Sequence, residues 1–298
     1  MSRPLVVKFG GDALATPQRI ATAARSLKRR LEAGPVVAVA SARRGVTDHL
    51  LGLVERVKED TTQEGTVSRA LAAASDRALA AGELVAASLL AVALNRLGVP
   101  AVVLDAREAG LRSDGAWGRA QLTRVRPARI WSLVEQGVTP VVAGFQGWHR
   151  GRFTTLGRGG SDTTAVALAE TLGSERCELV KHVGGLFTAD PRIVPEAQPV
   201  PRASHHFLST LAAAGARVIS FRAATLAERE AIPLCFASLE SETALSDVSR
   251  GAPPAAVIAV AHRSGRNRFT AQMPGRIDAE LLTAFRAGMT AAGIPVDF

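Results

Sequence analysis

The 298-residue sequence contains no tyrosine, and aromatic residues make up only 4% of it. That scarcity removes the stacking platform on which single-stranded nucleic acid is held. Cysteine is almost as rare: Cys177 and Cys235 sit in short apolar runs with no CxxC or histidine-paired spacing, so neither a disulfide framework nor a structural zinc site is expected. A reducing, cytoplasmic setting fits. Lysine occurs only at Lys8, Lys28, Lys58 and Lys181, and the net charge of +9 is carried mainly by scattered arginines. Only Lys28-Arg29-Arg30 and Arg43-Arg44 are adjacent, so a clustered basic face for nucleic acid is missing and the bias reads as compositional. No apolar stretch is expected to approach the length of a membrane span, and Met1 to Pro4 lead straight into a strand, so neither secretion nor membrane insertion is expected. The 47% hydrophobic content suffices for one large α/β core or two modest ones.

The pattern along the chain is strand, helix, strand, helix. Leu5 to Phe9 reads as a buried strand, and Pro17 to Leu31 as a helix with Thr16 as its cap. Pro35 to Ala40 is a second strand, followed by a polar turn from Ser41 to Thr47 that opens a helix toward Val57. Val67 to Leu97 reads as helix with a break near Gly82; Val99 to Leu104 and Val138 to Ala143 read as central strands around a helix at Ile130 to Val134. Phe153 to Leu156 leads into Gly157-Arg158-Gly159-Gly160, with Ser161-Asp162 expected to cap a helix to about Leu172. Glu178 to Val183 and Pro233 to Ala237 are further strands, with helices near His206 to Ala214 and Ala223 to Glu230 between them. This rhythm is that of a parallel sheet covered on both faces. Residues 241–254 are polar and rich in Gly and Pro, a linker before a small α+β appendage over 255–298.

Two segments carry chemistry. Lys8-Phe9-Gly10-Gly11 ends the first strand, where an open α/β sheet places its ligand crevice. The glycines allow close approach of backbone N–H groups to a phosphate, and Lys8 supplies a point charge; taken alone, a lysine before a glycine turn is more often structural. Thr154-Thr155-Leu156-Gly157-Arg158-Gly159-Gly160-Ser161-Asp162-Thr163-Thr164 combines a cationic arm, a flexible loop and a helix N-terminus, which are anion-binding parts. Arg158 can grip a carboxylate in bidentate fashion, and Asp162 can pair with Lys8. The plain alternative is a capping turn, which is compatible with function. His205 and His206 diverge on a helix and cannot share a metal, while His149 and His262 read as surface residues. No metal site is expected on the chain.

Lys8-Phe9-Gly10-Gly11, Ser41 through Asp48, Gly82-Glu83, Gly144-Phe145-Gln146-Gly147, Thr154 through Thr164 and Phe187-Thr188-Ala189-Asp190-Pro191-Arg192 together resemble the aspartokinases of the amino acid kinase family, in order and spacing from residue 4 to about 240. The resemblance implies an α/β fold, a three-layer αβα sandwich, with residues 1–240 as the catalytic domain. It implies transfer of the γ-phosphoryl of MgATP to the side-chain carboxylate of L-aspartate, with Mg2+ held mainly by the nucleotide phosphates. Carried over by motif, Lys8 neutralises charge on the moving phosphoryl, Gly10 and Gly11 donate backbone N–H groups, and Asp162 orients Lys8. Arg158 would clasp the α-carboxylate of aspartate and Glu83 its α-amino group, with Ser41, Thr47, Phe145 and Ser161 shaping the pocket. Lys181, His182, Phe187, Asp190, Arg192 and Arg217 fall to the nucleotide. A cytoplasmic homodimer with no nucleic-acid or membrane partner is implied.

Departures from the pattern stand beside the matches. Asp12-Ala13 replaces the usual Thr-Ser and adds negative charge near the phosphates, which Arg43-Arg44 could offset unless they face water. Lys181-His182 replace Thr-Asp and place positive charge near the nucleotide, or else form a solvated strand end; Phe187 replaces Tyr, Arg217 a common lysine, and Ser220-Phe221 His-Pro. These changes keep two alternatives open: a paralogous kinase with a different carboxylate acceptor, and a non-catalytic binding or regulatory subunit with a degenerate ATP site. Residues 255–298 resemble the opening of an ACT regulatory domain, from Val257 through a helix at Arg276 to Ala292 and a strand at Ile294, after which the chain stops. That implies a partial ACT-like segment insensitive to lysine and threonine and packed on the catalytic domain or a second copy.

Overall fold

The structure is a computed structural model that describes residues 2–58, 66–182, 184–239, 245–251, 259–263 and 266–272. The first half runs β1 (Leu5–Phe9), a short 3-10 turn (Gly11–Leu14), α1 (Pro17–Leu31), β2 (Val36–Ala40), α2 (Val46–Lys58), α3 (Thr66–Arg96) and β3 (Ala101–Leu104). Next come β4 (Leu111–Ser113), β5 (Leu122–Val125), α4 (Ala128–Glu135), β6 (Thr139–Ala143), β7 (Gln146–His149), β8 (Arg152–Thr155) and α5 (Gly160–Leu172). The chain continues through β9 (Cys177–Lys181), β10 (Leu186–Phe187), β11 (Pro199–Val200), β12 (Arg202–Ser204), α6 (His205–Ala214) and α7 (Phe221–Arg229). The last described elements are β13 (Leu234–Ser238), β14 (Ser246–Ser249) and a hairpin of β15 (Ala259–Arg263) and β16 (Arg266–Gln272) beside α6.

Eight strands form the central sheet in the order β12-β14-β13-β9-β1-β2-β6-β3, parallel from β13 to β3 and reversed at the β13–β14 pair. The central strands are rich in apolar residues because both faces are covered, with Lys8 in β1 and Glu178 and Lys181 in β9 as the charged exceptions. Side-chain alternation divides them: Val7, Phe9, Ala38 and Ala40 pack with α1 and α3, whereas Val6, Val37, Val39 and Leu179 pack with α5 and α7. The result is the three-layer sandwich expected from the sequence. A second sheet, β5-β4-β7-β8, which periodicity did not reveal, leads directly into the glycine loop before α5.

Several local expectations change. α3 has no break at Gly82; that glycine admits the Ser41 turn and α2, because a Cβ there would lie 3.2 Å from Ala42 Cβ and from Val46 Cγ1. By length and composition α3 could also cross a membrane, contrary to the expectation of no such stretch, although Ala86, Ala87, Leu90 and Leu94 on its inner face belong to the core. α5 is not capped by Ser161 or Asp162: Gly159, at φ 76°, is its N-cap, and no side chain caps it. α1 begins as expected, with Thr16 Oγ1 accepting the Arg19 N–H at 3.2 Å and Pro17 in the first turn. His149 is half-buried, its Nδ1 donating to the Ser113 carbonyl at 2.8 Å. The expected helix at 276–292 and strand at 294–298 lie outside the described residues, as do Val183, 241–244 and 252–254, while the rest of the expected linker supplies β14, which pairs with β12 and β13 in the central sheet.

Candidate active site

The site opens at the carboxyl ends of β1, β2 and β9, where the sheet sends connections to opposite faces. Alternation along β1 points Lys8 to the same side as Val6, toward α5, and alternation along β9 points Lys181 there with Leu179. These two strands are neighbours, with Lys8 opposite Leu179. Asp162, in the first turn of α5, receives both: Lys8 Nζ lies 2.7 Å from Oδ1 and Lys181 Nζ 3.0 Å from Oδ2. All three side chains are largely buried.

Burial opposes ionisation of Asp162, but the two ammonium groups outweigh it and hold the carboxyl well below the usual carboxylate range. On Lys181, burial and repulsion from Lys8 outweigh the attraction of Asp162, so its ammonium is lowered from the ordinary lysine value. Two cations on one anion leave a surplus positive charge in a poorly hydrated crevice. Arriving anionic oxygens would offset it.

The glycine turn is divided between two tasks. Gly10 donates its N–H to the Val180 carbonyl at 2.9 Å, so its expected role as a phosphate donor is corrected to one of fixing the turn on β9. At Gly11 any side chain is excluded, because a Cβ would stand 2.6 Å from the Ala42 carbonyl oxygen. The charge added by Asp12 is met by Arg44, 3.2 Å away, whereas Arg43 donates instead to the Ala15 carbonyl at 2.7 and 3.2 Å. Both partners of the Arg44–Asp12 pair are solvent-exposed, so the contact is worth at most about 1 kcal/mol, yet it places a cation on the added carboxylate.

On the other side of Lys8, α3 presents Glu83, 3% exposed. Its Oε1 accepts the Ala42 N–H at 3.3 Å, while Oε2 has no hydrogen-bond partner among the described residues. Burial pushes this carboxyl up to about 7, against the pull of the Ala42 amide and the positive field of Lys8. A buried carboxylate oxygen without a partner is costly and suits a cationic ligand group. Phe145 holds a left-handed φ of 66°, unusual for a bulky side chain and worth about 1–3 kcal/mol of strain. Ser161 packs so closely on the turn before Phe145 that a Cβ at Gly144 would meet Ser161 Cβ at 2.7 Å. Arg158 is exposed and bonded to no described residue, Ser41 donates its N–H to the Phe9 carbonyl at 3.1 Å, and Thr47 is half-buried in the first turn of α2.

The outer segment is looser. Asp190 and Arg192 bind each other at 2.6 and 3.0 Å, with Arg217 and Asp12 close enough for their charges to be felt. His182 is exposed and Phe187 half-buried in β10. Gly184 is required by contact, since a Cβ would lie 2.2 Å from Ser238 N. Among the described residues no group of three His, Cys, Asp or Glu could hold a metal ion.

Three residues of this region were given no site role in the sequence. Asp76, 2% exposed, accepts hydrogen bonds from the Gly118 N–H at 3.0 Å, the Thr155 N–H at 2.7 Å and Thr155 Oγ1 at 3.0 Å. Arg222 donates to the Leu156 carbonyl at 3.2 Å, and Ser220 Oγ to the Gly159 carbonyl at 3.2 Å. Asp76 did leave a signal, a lone carboxylate two turns before Glu83 in an alanine-rich helix; Ser220 was marked only as a departure from the family pattern, and nothing local marked Arg222.

Known proteins resemble this chain in sequence and fold. The model of the amino acid kinase family matches residues 3–238. An aspartokinase from Pseudomonas aeruginosa is 38% identical over 232 residues, covering 77% of this chain and 54% of that protein. The chain thus spans about half the length of the curated relatives it matches. Among solved structures, an aspartate kinase from Synechocystis aligns over 83% of this chain and 40% of its own, with a TM-score of 0.69 and 34% identity. E. coli aspartokinase III in complex with aspartate and ADP aligns over 99% of this chain and 76% of its own, with a TM-score of 0.75; at 23% identity it speaks for the fold alone.

Proposed function

The chain belongs to the amino acid kinase family, and on that premise we propose that it is an aspartokinase-type phosphotransferase, forming 4-phospho-L-aspartate and ADP from MgATP and L-aspartate. The observation that carries this reading is the bridging of Lys8 and Lys181 by Asp162. An acceptor carboxylate oxygen attacks the γ-phosphorus, the bond to the β–γ bridging oxygen breaks, and its electrons leave with ADP. Such a transfer needs positioning and electrostatic stabilisation rather than a covalent intermediate on the protein. Lys8 stands at the end of β1 to neutralise charge on the moving phosphoryl group, held by Asp162. Lys181 adds a second cation on the nucleotide side, where the notable sequence departure supplies charge instead of removing it. The Gly11 turn approaches the phosphates closely, and Arg192 and Arg217 line the outer nucleotide segment with His182, Phe187 and Asp190. Mg2+ enters with the nucleotide, held mainly by its phosphates.

The acceptor end follows from Glu83 and Arg158. Glu83 Oε2 takes the α-ammonium of aspartate, the free guanidinium of Arg158 takes its α-carboxylate, and Ser41, Thr47, Phe145 and Ser161 enclose the rest. Pairing of Asp12 with Arg44 argues against a subunit that has lost nucleotide binding. Residues 1–240 form the catalytic unit in this reading, completed by β14 from within the 241–254 segment that the sequence presented as a linker, with 255–298 as an ACT-like segment, in a cytoplasmic homodimer. Calorimetric titration with MgATP and then with aspartate tests the reading, which expects both to bind. Aspartate binding without MgATP binding would favour a binding subunit, and MgATP binding with a different acid in place of aspartate would favour a paralogous kinase.

A further inference from the structure

The dipeptide before the glycine loop is held at all four backbone polar atoms. Thr155 donates its N–H to Asp76 Oδ2 at 2.7 Å, and its carbonyl accepts the Ala120 N–H at 2.9 Å. Leu156 donates its N–H to the Phe145 carbonyl at 2.8 Å, and its carbonyl accepts Arg222 Nη1 at 3.2 Å. The next residues are Gly157, at φ 72°, and the unbonded Arg158. Asp76 also accepts the Gly118 N–H, and the Gly118 carbonyl oxygen would stand 3.3 Å from a Cβ at Gly157. One carboxylate therefore fixes both the strand that enters the loop and the turn that lies over it.

That carboxylate shares a helix with Glu83. Seven residues separate them on α3, close to two turns, so both leave the same face about 10 Å apart along the axis. Burial raises the Asp76 carboxyl above its ordinary value despite the Gly118 and Thr155 donors, so its ionised form is kept at a cost.

We propose that Asp76 is a positioning residue that sets the separation between Glu83 and Arg158, and so restricts the acceptor to one carrying its ammonium and carboxylate on the same carbon. The inference rests on the reading of Glu83 and Arg158 as the two grips on aspartate. α3 is the rigid member: it carries Glu83 directly and, through Asp76, the backbone from which Arg158 extends. A loosened strand changes that spacing without touching Lys8, Asp162 or Lys181.

The test compares wild type with Asp76→Asn and Arg222→Gln in steady-state kinetics. L-aspartate is set against 3-aminopentanedioate, whose amine sits one carbon from the usual place, and urea unfolding is followed in parallel. Asn keeps the shape of Asp76 but removes its charge and replaces one acceptor oxygen by a donor, so the Gly118 amide, which meets both carboxylate oxygens at 3.0 Å, keeps at most one acceptor, and the charge-assisted bonds from Gly118 and Thr155 become weaker neutral ones. The expected result is a rise in KM for aspartate of roughly 10- to 100-fold with KM for ATP and kcat changed less than about threefold, and a narrower preference for L-aspartate over the shifted diacid. Arg222→Gln should give the same split more weakly, and it decides the matter if Asp76→Asn does not fold. An unchanged KM for aspartate in the folded variants, or kcat and both KM values worsening together with stability, overturns the inference. Wild-type protein that shows no aspartate-dependent ADP release instead refutes the acceptor reading, and with it the premise; wild-type turnover with unaltered variants sinks the positioning role alone.

Discussion

Asp162→Asn is the substitution with the largest expected effect, because one carboxylate holds two ammonium groups in a crevice that water barely reaches. The side chain keeps its shape, but Lys8 and Lys181 lose the anion at 2.7 and 3.0 Å and face each other. Removing one partner of a buried ion pair typically costs about 3–5 kcal/mol, because the charge left behind is uncompensated. In a domain of this size that corresponds to a fall in melting temperature of roughly 10 °C. The sign of the pH dependence is a sharper test. Asp162 has a folded-state pKa lowered from 3.8, so its contribution in wild type is present above that value and is lost as pH falls below it. In Asp162→Asn that acid loss disappears. The two unpaired lysines then bind fewer protons folded than unfolded, so the variant regains stability as pH rises from 7 toward 10. Urea unfolding at pH 4, 7 and 9.5 reads these slopes. A loss under about 1 kcal/mol at pH 7, or a wild-type pH dependence left intact, would mean that Asp162 does not hold the two lysines together.

Three further predictions address the chemistry. Lys8→Met should lower kcat by about a hundredfold with aspartate affinity nearly unchanged, since its charge acts on the transferring group; a folded variant with full turnover removes Lys8 from the mechanism. Glu83 carries a carboxyl raised to about 7, so KM for aspartate should climb as pH drops from 8 to 6 and Glu83 loses its charge, and Glu83→Gln should have a high, pH-independent KM. The same raised pKa lowers wild-type stability as pH rises from 4.5 through about 7, a decline that Glu83→Gln should lack in thermal unfolding. Replacing Lys181-His182 by Thr-Asp should shift ATP affinity measured by calorimetry; identical affinity would show that the pair does not act on nucleotide.

The sandwich was legible because β2 is an unbroken apolar run, β1 is broken only by Lys8, and α1 carries its own start signal in Thr16-Pro17. Pairing of Lys8 with Asp162 was legible too, since a strand end and a helix start face one crevice in an open sheet. Lys181 was placed on the nucleotide side, but its bond to Asp162 was hidden, because seeing it requires knowing that β1 and β9 are neighbours although most of the sandwich separates them in sequence. Gly10 misled for a related reason: a glycine turn at a strand end advertises free amides, and only the register with Val180 shows one of them engaged. The Ser161-Asp162 cap was wrong because Gly159, in the left-handed region, already starts α5 and frees Asp162 for the lysines. Asp76 escaped notice because periodicity marks an apolar face and is silent about a carboxylate buried within it. The short strands β4 and β5 gave too few residues for alternation to register.

Hydroxylamine trapping of the acyl phosphate puts the proposed reaction to its most direct test. With MgATP, L-aspartate and hydroxylamine, the protein should form aspartyl hydroxamate in step with ADP, and both products should disappear when aspartate is omitted. ADP release that depends on another acid but never on aspartate, or no hydroxamate from protein shown by calorimetry to bind both substrates, would contradict aspartate phosphorylation.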